Sequence, residues 1–229
     1  MSSPIVNIQK GIIRKLLIHF HQKASHNRRT CILTQLLKQN IIDCFSTKDT
    51  NVHCLDVGCG DMIIAESINE SLPNTIWQCI DIHPLPEGLE NNAKWKKYKT
   101  FDGSYIPFAD KSFDVITFCD VLHHAGENTP VLLTEAARTG KIVLIKDHFE
   151  YSYYSRLMLK MMDIVGNWAY GINIPERYFT KKRFSKLCEG AGLEIIDMNN
   201  HIQLYEHLPI VRTILSPKWQ FIAVLKAVN

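Results

Sequence analysis

The chain has 229 residues, 46% of them apolar, enough for one large domain with a real core, or a core with a lid. Its formal charge of +3 is too small to require a polyanionic partner. There is no apolar run of about 20 residues to span a bilayer, nor the long apolar stretch of a signal peptide at the N-terminus, so the expectation is a cytoplasmic protein.

Lys10, Arg14, Lys15, Lys23, Arg28, Arg29 and Lys38 all precede Asp43, the first acid. A solvated basic helix face is the simplest reading; nucleic acid, an anionic membrane or an acidic substrate are the alternatives. Residues 11–22 place Ile12, Ile13, Leu16, Leu17 and Phe20 on one helical face, and a second helix is expected over residues 30–44. Residues 1–46 thus read as a helical cap. From 47 to 229 the pattern changes. HCLDV (53–57), IWQCI (76–80), DVITFC (114–119) and KIVLI (141–145) are apolar runs of strand length separated by helical or loop stretches. That alternation implies βαβ units and a parallel sheet covered on both faces. The seven cysteines are odd in number, form no CxxC pair and sit largely in such apolar runs, which suits free thiols in a reducing compartment.

An insertion at about 148–180 follows the strand ending near Lys146. Tyr154, Leu157, Met158, Met161, Met162 and Val165 recur there at helical spacing. They form either a stripe packed on the core or a lid over an apolar ligand, and a position beyond a strand's carboxyl end favours the lid. A helix over residues 181–189 precedes LEIIDM (193–198) and QFIAVLK (220–226), expected as an antiparallel pair at the sheet edge; residues 199–219 cap the sheet or form a partner surface.

The stretch Asp56-Val57-Gly58-Cys59-Gly60-Asp61-Met62 ends a strand in a glycine turn, with Asp61 ready to cap the next helix. A dinucleotide loop requires G-x-G-x-x-G, and its third glycine position holds Ile63. Asp56 and Asp61 would repel a pyrophosphate and suit a ligand carrying positive charge. Asp81 ends the next strand about 20 residues further on, where a carboxylate meets ribose hydroxyls in nucleotide folds. Phe101-Asp102-Gly103-Ser104-Tyr105-Ile106-Pro107-Phe108, Ala109-Asp110-Lys111-Ser112-Phe113-Asp114-Val115-Ile116 and Phe118-Cys119-Asp120-Val121-Leu122-His123-His124 follow in order.

These four stretches together resemble the class I S-adenosylmethionine-dependent methyltransferases, and within them the small-molecule group that includes quinone-biosynthesis enzymes. The resemblance spans about residues 52–147. It implies a Rossmann-like α/β fold: a mostly parallel seven-stranded sheet with an antiparallel edge strand, helices on both faces, N-terminal helices and a helical lid. It implies S-adenosylmethionine as cofactor and S-adenosylhomocysteine as product, held by Asp56, Gly58, Cys59, Gly60, Asp81, Ile82, Asp102, Gly103, Phe118 and Cys119. Asp81 would bond the ribose and Asp102 the adenine amine. Met62 departs from the family pattern, which has a third glycine there.

The implied reaction is in-line displacement of a methyl group from sulfonium, which chiefly requires alignment. A general base helps where the nucleophile is a hydroxyl or an acidic carbon. The candidates are His124 first, then His148, then His123, at the ends of the fourth and fifth strands; each has a structural, hydrogen-bonding alternative. Asp120 and Asp147 sit where catechol-type relatives bind magnesium, but His148 stands where those carry Asn, so no metal is expected. Tyr151, Tyr153, Trp168, Tyr170 and Tyr178 are candidates to line a pocket for a small, apolar or aromatic acceptor. The basic N-terminal helix would close over the cofactor or touch a membrane. A nucleic-acid methyltransferase, or a non-catalytic module that binds cofactor or partner, are the other readings.

Overall fold

The structure, a computed structural model, describes residues 27–45, 50–85, 88–89, 91–167, 174–205 and 209–228. The helix expected over residues 11–22, and Trp168 and Tyr170, lie outside the described residues. The strands are β1 Val52–Val57, β2 Thr75–Asp81, β3 Tyr98–Thr100, β4 Phe113–Cys119, β5 Gly140–His148, β6 Leu193–Asn199 and β7 Gln220–Ala227. The helices are α1 Asn27–Cys44, α2 Ile63–Ser71, α3 Thr129–Thr139, α4 Tyr153–Asn167, α5 Lys181–Gly190 and α6 Pro209–Ile214.

The strands form one sheet in the order β3-β2-β1-β4-β5-β7-β6. β1 to β5 pair in parallel, and β7 runs antiparallel to both β5 and β6. Successive side chains point to opposite faces, so each central strand must be apolar on both. Leu55, Val57, Ile116, Phe118, Val143 and Ile145 meet Leu132, Leu133 and Ala136 of α3 and Phe184 and Cys188 of α5 on one face. Val52, Cys54, Val115, Leu144 and Val224 meet Leu33, Leu37 and Ile41 of α1 and Ala65 and Ile68 of α2 on the other. Cys54, Cys79 and Cys188 are free thiols packed as small apolar groups. β3 has no apolar run to announce it; three residues pair with Cys79, Ile80 and Asp81 at the sheet's edge. Within residues 199–219, Ile202 and Leu204 are buried and cap the sheet, and α6 is a short helix that periodicity does not reveal.

The insertion leaves and rejoins the sheet at a closed neck. Phe149 and Phe179 pair as a parallel bridge, and Glu150 N–H donates to the Phe179 carbonyl. The buried Glu150 carboxylate accepts from Arg156 (2.8 and 2.9 Å), Arg177 (3.3 Å) and the Tyr178 N–H (3.1 Å). α4 faces inward through Ser155, Leu159 and Asp163, at i, i+4 and i+8. The expected stripe therefore divides. Met158 and Met162 are half-buried around Leu159, Tyr178 and Trp219, whereas Tyr154, Leu157 and Met161 are exposed. No helix among the described residues is long and apolar enough to cross a membrane.

Candidate active site

Sheet order reverses between β1 and β4, and the loops after these strands open the crevice where open α/β sheets bind ligands. Gly58 takes φ +73°, and a Cβ there would lie 2.5 Å from Val121 of the loop after β4, so only glycine lets the two loops pass. Gly60 takes φ +52°, and a Cβ on it meets no atom within 4 Å, so the loop surface is open to a ligand there. The loop's N–H groups point inward. Gly58 and Cys59 donate to the Ile80 carbonyl (2.8 and 3.2 Å), and Gly60 donates to Asp81 Oδ2 (2.9 Å). A pyrophosphate needs those donors free. Asp61 Oδ1 accepts from Ile63 N–H (3.2 Å), while the N-cap itself is Met62, left-handed and fully buried.

Asp56 is buried at the end of β1 and accepts from Thr117 Oγ1 (2.9 Å); burial, with Asp81 and Asp61 nearby, pushes its carboxyl up to about 7 against the Thr117 bond. Asp81 Oδ1 takes the N–H (3.0 Å) and the Nδ1 (2.7 Å) of His83, a partner that the D-x-H spacing at the strand end could have suggested. A ribose at this carboxylate must compete with the His83 ring, which is more than half exposed. Ile82 is exposed and lies 3.1 Å from a Cβ built on Gly103, so these two share one wall. Asp102 accepts from Ser104 N–H, Ser104 Oγ and Tyr105 N–H at Oδ1, which holds its carboxyl below the ordinary range. Cys59 and Phe118 turn their side chains into the core, and Cys119 is half-buried. The chemistry of this set, three carboxylates around an open glycine turn whose N–H groups are engaged, fits a ligand with ribose hydroxyls and positive charge and no phosphate.

A polar cluster lies at the carboxyl ends of β4 and β5. Asp120 takes a left-handed backbone (φ 58°), tolerable for aspartate and strained for most residues. Its carboxylate accepts from Arg29 of α1 and from the fully buried Lys146. Burial opposes charge on Asp120, yet Lys146, His148 and Arg29 hold the carboxyl far below its ordinary range. The buried His123 Nδ1 contacts Asp147 Oδ1 (2.7 Å), and its Nε2 is 3.6 Å from Asp163 Oδ2 of α4. Burial alone would lower its pKa; Asp147 and Asp163 outweigh that and raise it to about 10. His148 is different. Burial and the Lys146 charge lower its pKa against the pull of Asp120, and its Nδ1 is 3.4 Å from Asp120 Oδ1. His124 is half-buried, its ring 4.0 Å from that of His123. All three histidines therefore gather at one end of the sheet. Asp120, His123 and His148 bring donor atoms within 4.8 Å of one another, as metal ligands do, but Lys146 and Arg29 already supply the positive charge at Asp120.

Of the tyrosines, Tyr178 joins the cluster. It is buried, donates to Asp163 and packs 5.5 Å from His123 and 6.1 Å from His148. Tyr151 and Tyr153 are exposed, and Tyr151 Oη accepts from Asn200 on the outer surface (3.4 Å). Arg29, Asp120, Lys146 and Asp163 had no assigned role from sequence apart from the metal weighed at Asp120.

A family model described as a methyltransferase domain matches residues 25–198. The fold is similar to a putative sarcosine dimethylglycine methyltransferase from Galdieria sulphuraria, with TM-score 0.60 and 13% identity over 86% of this chain and 84% of that one. It is similar to a putative methyltransferase of Haloferax volcanii in complex with the Trm112 methyltransferase activator (TM-score 0.57, 13% identity, 89% and 98% covered). A Methanosarcina mazei protein described among SAM-dependent methyltransferases gives TM-score 0.57 and 17% identity over 82% and 97%. No curated protein matches the chain in sequence.

Proposed function

The chain belongs to the methyltransferase-domain family, and on that premise we propose that its acceptor is a small, largely apolar molecule methylated at a hydroxyl or an acidic carbon. The protein is an S-adenosylmethionine-dependent methyltransferase. When bound, S-adenosylmethionine supplies a methyl group on sulfonium, whose departure leaves the electron pair on sulfur as S-adenosylhomocysteine. Asp81 and Asp102 would hold the ribose and adenine, and Ile82 with Gly103 would flank the base.

The observation that carries the acceptor chemistry is His148, an imidazole at the end of β5 biased toward its neutral form by burial and by Lys146 beside it. A neutral imidazole accepts the acceptor's proton as the new bond to methyl forms. His123 is held protonated between two carboxylates and serves as a positioned charge rather than a base. His124 stands beside it, its ring 4.0 Å from that of His123.

The test is to follow S-adenosylhomocysteine formation across a panel of apolar hydroxyl compounds and RNA, with His148→Gln alongside. The expected result is turnover of a small acceptor, lowered about 100-fold or more by the substitution, with unchanged calorimetric affinity for S-adenosylhomocysteine. Turnover on RNA alone, or full activity of the variant, would overturn the reading.

A further inference from the structure

A cavity of ≈ 310 Å³ lies against the start of β7, walled by Ile202, Leu204, Leu215 and Pro217. That volume suits a small ligand. Gln220 lines it at the buried end: the residue is 3% exposed, and its Oε1 has no hydrogen-bond donor among the described residues. A buried carbonyl without a donor is costly unless something supplies one. Arg212, exposed, lines the same cavity.

Register ties this cavity to the catalytic cluster. Gln220 pairs directly with His148 across β5 and β7, and directly opposed residues in an antiparallel pair project from the same face. Tyr205, which lines the cavity, is half-buried within electrostatic reach of Arg29 and Asp120.

We propose that this cavity is the acceptor pocket, and that it takes an apolar molecule bearing a hydroxyl that donates to Gln220 Oε1 and an anionic group that meets Arg212. The inference rests on the methyl-transfer reading above and deepens it by naming the acceptor's chemistry. His148, paired with Gln220 in the register and on the same face, is then the base on that side of the sheet. The hydroxyl turns its O–H from Gln220 Oε1 to the imidazole, which takes the proton as the oxygen forms its bond to methyl and the electron pair of the broken sulfur–methyl bond stays on sulfur. Ile202, Leu204, Leu215 and Pro217 select the apolar body between the two polar ends.

The test uses the full chain and three probes read by saturation-transfer NMR: 4-propylphenol, 4-propylanisole and 3-(4-hydroxyphenyl)propanoate. The phenol should bind about tenfold or more tightly than its methyl ether, because only the phenol satisfies the buried carbonyl. The carboxylate-bearing phenol should bind tighter still. Gln220→Leu should remove the preference for phenol over ether, and Ser216→Phe, which fills the cavity from its wall, should abolish binding of all three. Calorimetry with S-adenosylhomocysteine on the same samples reports that each variant is folded. Equal binding of phenol and ether, or undiminished binding to Ser216→Phe, would overturn the pocket. Loss of S-adenosylhomocysteine binding by the unsubstituted protein would instead overturn the methyltransferase reading on which it rests.

Discussion

Met62 stands where the family pattern has its third glycine, and its φ of 63° is the conformation that glycine accommodates freely. A left-handed backbone at a non-glycine residue carries a penalty of roughly 1–2 kcal/mol. The fully buried Met62 side chain returns roughly 1.5–3 kcal/mol by leaving water. The substitution is therefore absorbed by packing against Cys59, Ala65 and Ile68 and leaves the loop intact. Asp81 carries more of the binding chemistry, since one oxygen orders Gly60 and the other is held by His83. Asp81→Asn should weaken S-adenosylhomocysteine binding about tenfold or more, the scale of one charge-assisted hydrogen bond. Calorimetric titration checks this, and an affinity equal to that of the unsubstituted protein would place the ribose elsewhere. Asp56, Gly58, Gly60 and Asp81 are legible in sequence because a strand, a glycine turn and a helix start are local features. Asp120 is not, because what defines it is Arg29, 91 residues away, and Lys146 on another strand. His83 is local too, but its bond to Asp81 competes with the role expected for that carboxylate.

At the scale of elements, β1, β2, β4 and β5 announce themselves as apolar runs because a parallel strand buries both faces. β3 and α6 are short, and their edges are settled by neighbours rather than by periodicity. The insertion is legible as an element but not in its orientation. Its apolar residues outnumber what one helical face can bury, and the inward line includes two polar residues, Asp163, which meets Tyr178 and His123, and Ser155, which bonds the helix's own start. Ser155 Oγ accepts from the Tyr151 and Ser152 N–H groups (2.8 Å each), fixing the helix start, while Glu150 ties it to the returning segment at Arg177 and Tyr178. Glu150→Ala leaves Arg156 and the Tyr178 N–H without that acceptor. We expect faster amide exchange through residues 150–167 and a Tm lower by about 2–6 °C, while exchange in β1 and β4 stays as before. Slowed or unchanged exchange in α4 would mean the neck is held by Phe149 and Phe179 alone.

Across the whole molecule, the charged cluster joins parts that are far apart in sequence: α1 through Arg29, the loop after β4 through Asp120 and His123, β5 through Lys146 and Asp147, and α4 through Asp163. Its protonation should therefore govern global stability. His123 has an ordinary pKa near 6.5 when unfolded and about 10 when folded. The stability it contributes is fully present below its unfolded value and is lost as pH rises from about 6.5 toward 10, at up to roughly 1.4 kcal/mol per pH unit. Asp147 has the opposite sign. Burial raises its pKa, but His123 and His148 outweigh that and depress it, so its contribution is present above the ordinary carboxylate range and lost as pH falls through the depressed value. Maximum stability then lies from mildly acid pH to neutrality. Denaturant midpoints measured from pH 6 to pH 10 should fall steadily for the unsubstituted chain. His123→Gln keeps a hydrogen-bond donor but holds no proton to lose, so it should begin less stable at pH 6 and decline less steeply. The two curves should converge as pH approaches 10, because groups titrating elsewhere are common to both. Parallel curves would mean that folding leaves the His123 pKa unchanged, and would overturn the pairing with Asp147 and Asp163 as a source of stability.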